Sequence, residues 1–170
     1  SLCPSILLEE ERTNEILDSA DFDAASWVHT SVNVQAEIAP SPDGLQTADK
    51  LQVASGGIRY AYDNISLSTI DDTFFSCFAK AGTTGWFALG LVDAFGPTTD
   101  EAIGTFDLIN GVVGDTTNSV NITPELEIQK YPNGWYRCIL IMRSTSSAGS
   151  WGARVYASVQ SETDLTGFTN

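Results

Sequence analysis

Trp86, flanked in the sequence by Lys80 and Asp107 and, farther on, by Arg137 and Arg143, supplies the two kinds of group that a sugar ring needs. An indole offers a flat apolar face to the C–H side of the ring, and charged or bidentate side chains offer partners to its hydroxyls. Side chains alternate between the two sides of a strand, so parity sorts these residues by face. In the run 86–91, Phe87, Leu89 and Leu91 form one apolar face, which leaves Trp86, Ala88 and Gly90 opposite as one large ring beside nearly bare backbone, a shallow trough. In the run 74–80, Phe75, Cys77 and Ala79 suit a core, leaving Phe74, Ser76, Phe78 and Lys80 opposite. In the run 135–143, Tyr136, Cys138, Leu140 and Met142 suit a core, and Trp135, Arg137, Ile139, Ile141 and Arg143 take the other side, although both sets are apolar enough for burial. Tyr60 and Tyr62 share a face, as Arg59 and Asp63 share the other, and either tyrosine lines a groove or packs into the core. Trp86 itself has two readings, a platform for a ligand or the cap of a core edge. Trp27 and Trp135, each following a loop, are read as packing residues.

Catalytic chemistry finds little to work with. His29 is the single imidazole, and no G-x-S-x-G elbow accompanies it, so a nucleophile–His arrangement is not expected. Glycoside cleavage needs two carboxylates placed on one site. Glu125 and Glu127 are the nearest match to two acids alternating on a strand, and their run is poor in aromatics, as a solvated face would be. The expectation is a protein that is not an enzyme. Asp18, Asp21 and Asp23 lie close together and form a candidate loop site for a structural calcium ion, without the spacing of an EF-hand. Cys77 and Cys138 sit in apolar strand-like runs and are expected as buried thiols, while Cys3 has no assigned role.

These residues must be held by strands. Short apolar or alternating runs, broken by Gly, Pro, Asn and Asp, predict an all-β fold, a two-sheet antiparallel β-sandwich. The expected strands are Ser5 to Glu9, Ala48 to Ala54, Ile58 to Leu67, Thr73 to Ala79, Trp86 to Val92, Ala102 to Leu108, Leu126 to Lys130, Trp135 to Arg143 and Trp151 to Val159, with one helical turn over Asp21 to Ser26. Pro42-Asp43-Gly44, Gly56-Gly57, Asn110-Gly111 and Pro132-Asn133-Gly134 provide turns.

The 170 residues fit a single domain over 1–170, and 42% hydrophobic residues are enough for a core. A net charge of −14, from 8 basic against 22 acidic residues, repels phosphate backbones and anionic headgroups, so nucleic acid and membrane are not expected partners. No apolar run approaches the roughly 20 residues of a membrane span, and no signal peptide opens the chain. The start, Ser1-Leu2-Cys3-Pro4, reads like a piece of a longer polypeptide.

Seven ordered blocks carry a resemblance: Leu7-Leu8-Glu9 with Arg12-Thr13-Asn14; Phe22 and Trp27; Pro42-Asp43-Gly44 with Ala48-Asp49-Lys50-Leu51; Phe75-Ser76 with Lys80-Ala81-Gly82; Phe106-Asp107-Leu108 with Gly111; Asn133-Gly134-Trp135-Tyr136-Arg137-Cys138; and Trp151-Gly152-Ala153. In this order they resemble phage and viral tail-associated carbohydrate-binding modules of the concanavalin A-like jelly-roll type. The resemblance implies glycan recognition on a concave sheet face, at a virion surface or in an extracellular setting, within a larger protein. The chain departs from the pattern at Ile139 and Ile141, where small hydroxyl residues are usual, and at Arg154, where Gln is usual. The ligand set expected from these readings is Trp86, Lys80, Asp107, Arg137, Arg143, Phe78, Tyr60 and Tyr62, on a domain monomeric in isolation whose parent protein is open to oligomerisation. The alternative is a structural or assembly domain of a tail fibre that binds no glycan, with a glycanase or lyase ranked behind it.

Overall fold

The computed structural model describes residues 13–54, 59–67, 72–93, 100–119, 122–143 and 149–159. They form eleven strands, β1 Val28–Thr30, β2 Val32–Ala39, β3 Ala48–Val53, β4 Tyr60–Leu67, β5 Thr73–Lys80, β6 Trp86–Asp93, β7 Glu101–Asp107, β8 Val112–Asn118, β9 Thr123–Lys130, β10 Trp135–Arg143 and β11 Gly149–Val159, with one 3₁₀ turn at Pro132–Gly134. Every pairing is antiparallel. A six-stranded sheet runs β1-β4-β11-β6-β7-β8, a three-stranded sheet runs β5-β10-β9, and β2 and β3 make a two-stranded ribbon. The all-β antiparallel sandwich expected from the strand pattern is the fold.

The core lies between the two larger sheets. Ala61, Ile65, Leu89, Leu91, Ala102, Phe106, Trp151, Ala153 and Val155 come from one, and Phe75, Ala79, Tyr136, Cys138, Leu140 and Met142 from the other, in one cluster. Each fully buried large side chain contributes about 1.5–3 kcal/mol relative to exposure. Two glycines allow the sheets to meet closely. A Cβ on Gly104 of β7 would collide with the Leu126 side chain of β9, and one on Gly111, at φ +70°, would sit 2.7 Å from the Tyr136 ring. Trp27 closes one end of the core: its ring stacks at 4.6 Å on Phe22, and its indole N–H donates to the Asp18 carbonyl at 3.0 Å.

The run 86–91 divides as its parity predicts, with Leu89 and Leu91 in the core cluster and the partly buried Phe87 packed against it. The observed strands cover every expected run in the described residues, and the run at Ser5 to Glu9 lies outside them. Two regions differ. Strands β1 and β2 fall where none was expected, because β2 is exposed along most of its length and so shows no apolar face. Its ribbon is fixed by Asp49, whose carboxylate accepts the N–H of Phe22 at 2.8 Å and of Glu37 at 2.9 Å, the latter a residue held at φ 54°. Strand β8, Val-Val-Gly-Asp-Thr-Thr-Asn, carries turn-type residues yet pairs along β7. The helical turn expected at Asp21 to Ser26 is instead a chain of separate turns, Asp21 N–H to Asp18, Ala24 N–H to Asp21 and Trp27 N–H to Ala24. The Asp21 carboxylate takes the N–H of Asp23 at 2.9 Å, a local bond that competes with helix.

Candidate functional site

The ladders place the expected ligand residues on two different sheets. Arg154 stands opposite Tyr62 on one side and Gly90 on the other, Tyr156 opposite Tyr60 and Ala88, and Trp86 opposite Asp107. Trp86, Tyr60, Tyr62 and Asp107 therefore share the face of the six-stranded sheet turned away from the core, together with Arg154 and Tyr156. Phe78, Lys80, Arg137 and Arg143 lie on the outward face of the three-stranded sheet. Packed sheets are about 10 Å apart and these faces point in opposite directions, so one sugar ring cannot touch both groups.

On the six-stranded sheet the aromatic rings gather. Tyr60 meets Tyr62 at 5.8 Å and Tyr156 at 5.4 Å, both tilted, and the Arg154 guanidinium carbon lies 4.7 Å from the Tyr60 ring centroid. Arg154 is only 7% exposed, and its Nε is buried with no hydrogen-bond partner. Burial pushes the Tyr156 hydroxyl up to about 12, against the pull of the Arg154 guanidinium beside it. Burial also raises the Glu101 carboxyl, and Arg154 again acts in the opposite sense, so a buried cation and a carboxylate share this region. Tyr60 and Trp86, both half-buried, pack against a second apolar cluster of Ala88, Val92, Ile103 and Tyr156.

That cluster corrects the expectation of a bare trough beside Trp86. The space over Gly90 is filled: a Cβ there would lie 2.9 Å from Tyr156 and 3.2 Å from Ile103. Parity identifies the side of the sheet, but the ring that stands over a glycine comes from the neighbouring strand. Arg154 and Tyr156 are absent from the expected ligand set, and the signal for them is the alternation of Trp151, Ala153 and Val155, which leaves Gly152, Arg154 and Tyr156 on the other face.

Asp107 is close to Trp86 but is engaged elsewhere. Its carboxylate accepts the N–H groups of Ile109 and Asn110 at 2.8 and 3.0 Å and the Asn110 side-chain amide at 2.6 Å, closing the β7–β8 turn. Burial works against its charge, and the hydrogen bonds from Asn110 and Ile109 outweigh that, so its carboxyl lies below the ordinary range.

On the opposite sheet, Phe78 is 40% exposed and meets Tyr131 edge to face at 4.9 Å. Arg137 donates to the Ser76 hydroxyl at 3.2 Å, and Lys80 is exposed opposite Trp135. Arg143 bridges Glu125, at 2.9 Å, and Asp72; hydrogen bonds to Glu125 and then Asp72 raise its pKa. All three side chains of this bridge are more than 40% exposed, so its contribution to stability is small. Ile139 and Ile141 are buried, so the parity set that carries the partly exposed Arg137 and Arg143 is apolar and enclosed at its centre.

The three loop aspartates do not converge. Asp18 accepts from the Ser26 hydroxyl at 2.8 Å and Asp21 from a backbone N–H two residues on. Among the described residues, no three Asp, Glu, His or Cys side chains are grouped as a metal site. The imidazole of His29 is 2.8 Å from the carbonyl of Phe22. The resemblance to tail-associated modules rests on the ordered sequence blocks alone, because no protein family matches this sequence and none of the curated proteins does.

Proposed function

We propose that the chain is a non-catalytic carbohydrate-binding domain, of a jelly-roll type, that uses the outward face of the six-stranded sheet to hold a virion or a carbohydrate-active enzyme on its glycan. The observation that carries the reading is Arg154, a cation 7% exposed, seated on the Tyr60 ring with its Nε lacking a partner, between Tyr62 and Tyr156 and on the same face as Trp86. The Nε is itself enclosed, so a saccharide would meet this face through the rings, whose apolar surface suits the C–H side of a sugar, while the guanidinium lies against the Tyr60 ring and holds it in place. The half-buried Trp86 and the tyrosines supply stacking surface, and Arg154 positions the Tyr60 ring. Phe78, Lys80, Arg137 and Arg143 are not part of this site. The acidic surface, with a net charge of −14, fits a neutral saccharide better than a polyanion.

A glycan array probed with the isolated domain tests the reading, followed by calorimetric titration of any hit with the wild type and Arg154→Met. Binding to a saccharide series that weakens roughly tenfold in the variant is expected. No binding to any glycan, or equal binding by the variant, overturns it.

One observation favours a second reading, a structural domain of a tail fibre. Phe74 and Phe78 are 49% and 40% exposed on β5, on the outward face of the three-stranded sheet. Exposed apolar rings on a sheet face suit packing against a neighbouring subunit. Sedimentation of the parent assembly before and after the double substitution Phe74→Ser, Phe78→Ser separates the readings: dissociation with glycan binding intact assigns these rings to assembly.

A further inference from the structure

Cys77 and Cys138 are direct partners across the antiparallel β5–β10 ladder. Directly opposed residues share a face, here the one that also carries Phe75, Ala79, Leu140 and Met142 in the core cluster, with Cys77 packed against it and Cys138 within it. Both are free thiols. Opposed Cβ atoms in such a pair are about 4.5–5.5 Å apart. A disulfide needs about 3.5–4.5 Å, so a small inward movement of one strand closes the gap. Among the described strands, β5 pairs with β10 and β10 pairs with both β5 and β9.

We propose that Cys77 and Cys138 are a modification site, closing to a cross-strand disulfide when the domain meets a low-molecular-weight disulfide. Cys138 is fully buried on β10, and Cys77 is half-buried on β5, so the order of events follows from access. The Cys77 thiolate attacks one sulfur of the oxidant, forming a mixed disulfide and releasing one thiol. The Cys138 thiolate then attacks Cys77 Sγ, the protein disulfide forms, and the second thiol departs. Two protein thiols are oxidised, one disulfide is reduced to two thiols, and the two protons lost by the cysteines are taken up by the departing thiolates. The bond would join strands already paired in the native ladder.

Burial pushes the Cys77 thiol up to about 12 and raises Cys138 as well, with Cys77 adding to the shift. The thiolate is therefore scarce at neutral pH, and its fraction, with the rate of attack, rises about tenfold per pH unit below that value. This site closes slowly at pH 7 and quickly in alkali.

The test uses the full chain carrying Cys3→Ser, incubated with glutathione disulfide at a series of pH values, alkylated, and cut at Lys and Arg. Lys80, Lys130 and Arg137 separate the two cysteines into different peptides. The expected product is a linked pair of peptides lighter by two hydrogens and free of glutathione, reversed by a thiol reductant, with a rate climbing about tenfold per pH unit. With Cys138→Ser added, glutathione should remain on Cys77. Glutathione retained on Cys77 while Cys138 is present overturns the proposal, as do two thiols that stay free at every pH of the series up to pH 11.

Discussion

Arg154 and Tyr60 meet across the β4–β11 ladder as a guanidinium 4.7 Å from a phenol ring centroid, a diagonal contact two residues out of register from the directly opposed Tyr60–Tyr156 pair. A buried cation on an aromatic face gains about 2 kcal/mol once desolvated, which is comparable to the roughly 1–3 kcal/mol that an unpaired buried donor loses. The pair is thus poorly explained by stability alone. Arg154→Met keeps the volume and removes the charge, and exchange of a buried charge for an apolar group is often neutral or stabilising. The variant should melt within a few degrees of wild type or higher while glycan affinity falls roughly tenfold, read by thermal melts and calorimetric titration.

Trp86→Ala should behave differently. The indole is half-buried and packs against Ala88, Val92, Ile103 and Tyr156, so its loss opens part of a cluster as well as removing a stacking surface. A fully buried Trp costs about 3–5 kcal/mol on truncation, so a half-buried one should cost about 1.5–3 kcal/mol, and glycan affinity should also fall about tenfold or more. Denaturant unfolding and calorimetric titration read the two losses separately, and an unchanged midpoint would remove Trp86 from this cluster.

Two buried carboxyls should respond to pH with opposite signs. The Asp107 carboxyl is lowered in the fold, so its contribution is present above the unfolded pKa near 3.9 and is lost as pH falls through the lower folded value. Asp63 is raised, by burial first and by the charge of Asp18 in addition, against a hydrogen bond from Asn64. It is destabilising above its folded pKa, and that penalty disappears as pH falls toward the unfolded value. Asp63→Asn should therefore melt higher than wild type at pH 7 and lose that advantage in acid, whereas Asp107→Asn should melt lower at pH 7 and converge with wild type in strong acid. Melts from pH 7 to pH 3 check both signs.

What could be read from the residues alone follows from how each signal arises. The strand runs at 86–91 and 135–143 announce themselves because burial demands apolar residues, and Leu89 and Leu91 fall in the core, with Phe87 packed against it, as their spacing requires. Strand β2 leaves no such trace, since a ribbon exposed to water places no demand on hydrophobicity. The candidate site was half legible. Parity gives the side of a strand but not the neighbour order β4-β11-β6, and it is that order which brings Arg154 and Tyr156 between the tyrosines and Trp86 while sending Arg137 and Arg143 to the other sheet. Asp107 could not be told from a ligand-binding acid by sequence, because its partners are the N–H groups of a turn that forms only when β7 and β8 pair.

Gly104 of β7 and Leu126 of β9 offer a direct test of how the two sheets meet. They come from different sheets, and a Cβ at position 104 would overlap Leu126 Cδ1, Cδ2 and Cγ. Leu126 is itself partly buried against the core cluster. Gly104→Ala alone should force the leucine out of its rotamer or the sheets apart, costing about 1–3 kcal/mol as overpacking does. Leu126→Ala alone should cost about 2–3 kcal/mol by loss of buried area and creation of a cavity, at the low end for a side chain not fully buried. The methyl group added at 104 occupies part of the space that Leu126 vacates. The double variant should therefore be more stable than the sum of the two losses predicts, by about 1–2 kcal/mol, a coupling that only contacting residues show. Urea unfolding of the four proteins in the cycle measures it, and strict additivity would mean that these two strands do not face each other across the core.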